Sequence, residues 1–141
     1  MLYLRAVVLL TGLLLAGSAA AEGFLATKPT KLPDLVIGTD DAGYGVSQKD
    51  FDMETGKAYR LKIVSTGKKE CAFVAPDFFA AIWLRKVEAG KVEIKAPFLT
   101  EVEMEDESEA ELFFVPIKPG DLTWACKGLE GKGVTGTFRI K

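Results

Sequence analysis

The sequence contains no histidine. Without imidazole there is no Ser–His or Cys–His nucleophile pair, no His-bound zinc or haem and no ordinary His general base, so most hydrolase mechanisms are excluded. Basic charge is not in excess: 18 Lys plus Arg stand against 20 Asp plus Glu, a formal net charge of -2. That balance offers no electrostatic footprint for nucleic acid or for an anionic membrane surface. Cysteine is limited to Cys71 and Cys126, too far apart for a Cys-x-x-Cys redox motif and too few for a zinc site. Repeats and low-complexity tracts are absent, apart from one acidic run.

What remains is a chain of 141 residues, 48% hydrophobic and 27% charged, with the composition and size of one globular domain. Its first 21 residues read as a secretory signal. Arg5 is the only charge before the apolar stretch Ala6 to Leu15, and Ser18, Ala19, Ala20 and Ala21 supply the small residues of a cleavage site. The apolar stretch is short for a bilayer span, and no Cys follows it to carry a lipid. The expected product is periplasmic or secreted, with no membrane insertion after cleavage. Export also puts both cysteines where disulfides persist, which leaves a bridge or a soft-metal pair as alternatives. Residues 22–33 read as a flexible lead-in, and residues 34–141 as the domain.

From Asp34 onward the hydrophobic period is two, interrupted by turn residues about every ten positions, the pattern of an all-β sandwich or barrel. The clearest strand runs from Ala58 to Val64, with Tyr59, Leu61 and Ile63 on one face and Arg60 and Lys62 on the other. Further strands are expected at Leu35–Gly38, Cys71–Ala75, Val92–Ala96, Leu112–Ile117, Leu122–Cys126 and Gly136–Ile140. Alternation puts Cys71 with Phe73 on one inward face, and Leu122, Trp124 and Cys126 on another. The segment near residues 76–84 breaks the alternation and is expected to form one short helix or helical turn. Trp83, Trp124 and the nine phenylalanines read as core.

Seven carboxylates fall between Glu101 and Glu111. A solvated edge strand and turn explains them, since charge on an edge discourages aggregation. The competing reading is a hard-cation site for iron or calcium, with Glu103, Glu105, Asp106 and Glu107 as candidates. Glu70 reads as a surface residue, and Asp40–Asp41 ahead of Gly43 and Gly45 as turn chemistry.

The stretch Cys126 to Gly136 resembles the plastocyanin-type ligand loop of the cupredoxins. In that family a strand ends in a copper-binding Cys, a His and an axial Met follow in the loop, and a Gly opens the last strand. Here those positions read Cys126, Leu129, Val134 and Gly136. Gly56–Leu61 is similar to the family's third strand, and Pro116–Trp124 to the turn and aromatic strand that lead to the ligand Cys. Gly67–Phe73 is similar to the stretch carrying the first His ligand, whose position reads Cys71. The resemblance covers about residues 34–141 and implies a Greek-key β-sandwich.

It also implies that the usual activity has been lost. A type 1 copper site needs two imidazoles, a thiolate and a weak axial thioether, and Leu129 and Val134 offer no lone pair. If Cys71 occupies a ligand position, its sulfur lies near that of Cys126, so Cys71 and Cys126 are candidates either for a disulfide or for a two-thiolate site, with buried free thiols as a third state. The similarity extends to cupredoxin-like domains of periplasmic iron-uptake proteins that lack the histidines. The expectation is therefore a non-enzymatic, exported binding protein accessory to copper or iron handling. Its partner would be a metal ion or a periplasmic or membrane metal-transport protein. The alternative is a metal-free interaction module in which a Cys71–Cys126 disulfide replaces the site. Copper, iron or no cofactor at all are the options that the resemblance leaves open.

Overall fold

A computed structural model describes residues 27–141, so the expected signal peptide at 1–21 lies outside the described residues. In chain order the strands are β1 (Thr30–Lys31), β2 (Leu35–Ile37), β3 (Asp50–Met53), β4 (Tyr59–Thr66), β5 (Cys71–Val74), β6 (Ile82–Ala89), β7 (Val92–Ile94), β8 (Glu101–Met104), β9 (Glu107–Pro116), β10 (Gly120–Cys126) and β11 (Thr135–Ile140). They form two sheets. The first runs β1-β4-β9-β6-β7, with β2 also beside β4, and the second runs β3-β11-β10-β5-β8. The sandwich expected from the period-two pattern is the observed architecture. Among the described residues no helix is long and apolar enough to cross a membrane.

Alternation explains how the sheets meet. In β4, Tyr59, Leu61, Ile63 and Ser65 are buried while Arg60 and Lys62 are only partly covered. Its antiparallel partner β9 sets Leu112 opposite Leu61 and Ala110 opposite Ile63. From the second sheet, Phe73, Trp124 and Phe138 enter the same core without exposed surface. Phe73 stacks on Trp124 with ring centroids 5.7 Å apart.

The connection between the sheets carries the helix α1 (Pro76–Phe79). Pro76 opens it with a fixed φ and a missing N–H that would be unpaired in the first turn anyway. The helix buries Phe78 and Phe79, and Phe78 bridges the sheets, 4.1 Å from the Phe138 ring and 5.1 Å from the Phe114 ring. Full burial of such a ring contributes about 1.5–3 kcal/mol.

Four features differ from the sequence expectation. The helix ends at Phe79, and Ile82 and Trp83 belong to β6, whose alternation is obscured by an irregularity between Leu84 and Lys86. Trp83 consequently points outward and is 40% exposed rather than core; Phe98, also read as core, is exposed as well, and Phe24 lies outside the described residues. The lead-in is not free throughout: Thr30 and Lys31 pair in parallel with Tyr59 and Arg60, and Leu32 is buried. Strand β3 was not expected; its Phe51 and Met53 face the core, while Asp50 and Asp52 both pair with Arg139 of β11.

Candidate functional site

Cys71 opens β5 and Cys126 closes β10. The two strands are antiparallel neighbours, with Cys126 opposite Phe73, so Cys71 lies diagonally across from Cys126 on the same inward face. Their Cα atoms are 5.0 Å apart and their sulfurs are joined in a disulfide, within the 4.4–6.8 Å separation such a bond requires. Both residues are fully buried. Neither sulfur is a thiolate, so neither is a nucleophile or a metal ligand in this state.

The loop after Cys126 closes on itself. The Leu129 N–H donates to the Cys126 carbonyl at 2.9 Å, and the Cys126 N–H donates to the Val134 carbonyl at 3.0 Å. Between them lies a single 3₁₀ turn, Glu130–Lys132, ended by Gly133 in the left-handed region at φ 83°. Leu129 packs against the core and Val134 is completely buried. Apolar side chains therefore occupy the two positions that the cupredoxin resemblance aligns with lost copper ligands. Gly136 has a steric reason to be glycine, because a Cβ there would collide with the Lys49 backbone and with the Trp124 indole. The Trp124 Nε1–H donates to the Lys49 carbonyl at 2.9 Å across that gap.

One neighbour of the bridge escaped sequence reasoning. Met104 stands directly opposite Cys71 in the β5–β8 ladder and is buried, so both side chains share the inward face. No local signal marks it, since the pairing depends on β8 joining the second sheet.

The acidic run does not converge. Glu101 and Glu103 lie on β8, paired with Val74 and Ala72, and point away from the core of the second sheet. Glu105 and Asp106 form the corner where the chain crosses between sheets. Glu107, Glu109 and Glu111 then lie on the outer face of the first sheet, where the Lys62 Nζ sits 3.1 Å from Glu109 and Arg60 sits 3.5 Å from Glu111. Hydrogen bonding and charge from Glu109 hold the Lys62 ammonium above its ordinary pKa. The run thus divides between opposite faces of the sandwich. The expected edge strand is present as β8, whereas Glu107, Glu109 and Glu111 occupy an internal strand of the other sheet. Among the described residues no group of three or more His, Cys, Asp or Glu side chains could hold a metal ion.

At the bridge end of the sandwich, Lys69 and Lys132 lie over the Tyr44 ring at 5.5 and 5.7 Å. Asp40 acts as turn chemistry, as the sequence indicates: its carboxylate accepts the Tyr44 N–H at 2.7 Å. Backbone N–H groups of Gly45 and Tyr44 hold its pKa below the ordinary carboxylate value.

The donor set does not fit a type 1 copper. One sulfur is bonded to another, and no imidazole or axial thioether occupies the loop. The carboxylates, split across two faces, do not fit an iron cage.

No family model matches the chain, and no curated relative matches it. Solved structures do. A McoA multicopper oxidase 2F4 variant from Aquifex aeolicus superposes with a TM-score of 0.61 at 10% identity, covering 79% of this chain and 29% of that one. A multicopper oxidase from Campylobacter jejuni gives 0.54 at 12% identity, covering 90% and 32%. The copper nitrite reductase of Nitrosomonas europaea gives 0.52 at 14% identity, covering 64% and 32%. The chain spans about a third of the length of these proteins. The likeness to these copper proteins is one of architecture, and the fold of the chain is cupredoxin-like.

Proposed function

We propose that the protein is an exported, non-catalytic binding module of the cupredoxin fold, in which the Cys71–Cys126 disulfide stands where the family holds its metal. The observation that carries this reading is the bridge itself, buried and flanked by Val134 and the partly buried Leu129. A covalent staple performs the structural work of a metal centre, tying two strands together, but has no redox ion and no open coordination position. Such a module acts through its surface, on a periplasmic or secreted partner of copper or iron handling. The test is elemental analysis of protein isolated from its native compartment. The reading expects well under one copper or iron per chain; a stoichiometric metal would overturn it.

A second reading, direct handling of a soft metal, is favoured by Met104 opposite Cys71. An exported dithiol that passed two electrons and two protons to the bridge would leave two thiols beside a thioether, a donor set suited to Cu(I). Copper titration of the reduced protein, with Met104→Leu alongside, separates the two readings: uptake that weakens in the variant supports the second.

A further inference from the structure

Four strand edges end the two sheets, and three are protected against pairing. β8 carries Glu101 and Glu103, β3 carries Asp50 and Asp52, and the edge beside β4 is divided between two short strands. The fourth, β7, is different. Among the described residues it pairs with β6 only. Its neighbourhood from Val92 to Phe98 sets apolar residues at even positions (Val92, Ile94, Ala96, Phe98) against Glu93 and Lys95 at odd ones. Val92, Ile94 and Phe98 are 59%, 43% and 64% exposed, three of the five large apolar side chains exposed among the described residues.

Backbone geometry says which groups are free. β6 and β7 are joined by the turn residues Gly90 and Lys91, with Gly90 at φ 59°. In a two-residue hairpin the flanking pair, here Ala89 and Val92, exchanges its backbone bonds, and alternation gives Val87 and Ile94 the same role. The N–H and C=O groups of Glu93 consequently point away from β6, and continuing the same alternation one step past the end of β7 would set those of Lys95 the same way.

We propose that this edge pairs antiparallel with the same edge of a second copy of the chain, about a twofold axis at Ile94. Glu93 of each copy then lies opposite Lys95 of the other, and the free backbone groups of these residues form four reciprocal hydrogen bonds. Ile94 meets Ile94 in the intervening non-hydrogen-bonded pair, and Val92 meets Ala96, so the pairing covers Val92 and Ile94, while Phe98 lies beyond the end of the ladder. Charge selects this register. An axis at Glu93 would oppose Glu93 to Glu93 and Lys91 to Lys95, like on like. An axis at Val92 would need Lys91 extended, and Lys91 lies in the turn. Pro97, which has no N–H, ends the ladder just beyond it.

The test uses the mature full-length protein. Sedimentation equilibrium over about 1–200 μM is expected to show a monomer–dimer equilibrium, the range in which a small interface associates. Lys95→Glu sets two like-charge pairs across the axis and raises the dissociation constant about tenfold or more, and the exchange Glu93→Lys with Lys95→Glu restores association. Ile94→Cys forms a covalent dimer under mild oxidation, because non-hydrogen-bonded pairs bring Cα atoms to about 4.5 Å. Glu93→Cys crosslinks at least about tenfold more slowly, its opposite number being Lys95. A protein that stays monomeric throughout, or crosslinks equally well from both positions, overturns the proposal. So does association indifferent to the charge exchange.

Discussion

Breaking the bond between Cys71 and Cys126 perturbs the protein without deleting an atom of its core. The bridge closes a loop of 55 residues. In the chain-entropy treatment, tying that loop removes about 14 cal/mol/K from the unfolded ensemble, or about 4 kcal/mol at 25 °C. A domain of this size has about 5–15 kcal/mol of stability in total, so reduction removes a large share of it. The reduced form keeps its buried aromatic contacts, such as Phe73 on Trp124, and should stay folded in dilute buffer. The assay is guanidinium unfolding of oxidised and reduced protein, followed by Trp124 fluorescence and by far-ultraviolet circular dichroism. With a slope of about 2–6 kcal/mol/M, the midpoint should fall by roughly 0.7–2 M on reduction, at an unchanged circular dichroism spectrum of the folded state. The double variant Cys71→Ala, Cys126→Ala should lose at least as much, since it adds two small cavities. Coincident midpoints for the oxidised and reduced forms would refute the claim that the bridge restrains the unfolded chain.

Three further outcomes follow from individual contacts. Phe78→Ala removes the ring that touches both Phe114 and Phe138, and should cost about 3–5 kcal/mol in the same unfolding assay. Gly136→Ala forces a methyl group against the Lys49 backbone and the Trp124 indole; it should cost about 1–3 kcal/mol and shift the emission of Trp124 to the red, whereas an unchanged spectrum would contradict the close approach. Glu93, whose ordinary pKa is 4.5, is held at about 2 by Lys95 first and Lys86 second, so its ionised form favours the folded state. That contribution is full above pH 4.5 and disappears as the pH falls to about 2; a side-chain titration followed by NMR should give the low value in the native protein, and Lys95→Ala should raise it.

The fold was legible where one face of a strand is plainly apolar. β4 declares itself because Arg60 and Lys62 separate Tyr59, Leu61 and Ile63, and β10 because Leu122, Trp124 and Cys126 alternate. β3 escaped because Asp50 and Asp52 carry the signature of a turn; Arg139, 87 residues away from Asp52, is what makes the aspartates tolerable on a strand. β6 escaped because its irregularity after Leu84 puts the alternation out of step, and Trp83 was then assigned to the interior on size alone. Of the candidate site, the two cysteines and Gly136 were visible through a family resemblance, whose loop spacing is a local property. Met104 and the division of the acidic run were not, because both depend on a corner at Glu105 and Asp106 that carries the chain from one sheet to the other. No local pattern in hydrophobicity says which sheet a strand joins.

In the proposed reading, two sulfurs bonded to each other hold the place of a metal. The intact mass of protein isolated from its native compartment tests this, taken before and after alkylation under native and denaturing conditions, with no reductant added. The bridge predicts a mass two hydrogens below that of the dithiol, no bound metal, and no alkylation until a reductant is supplied. Two thiols that alkylate as soon as the chain is unfolded, or a copper ion retained in the native mass, would contradict it.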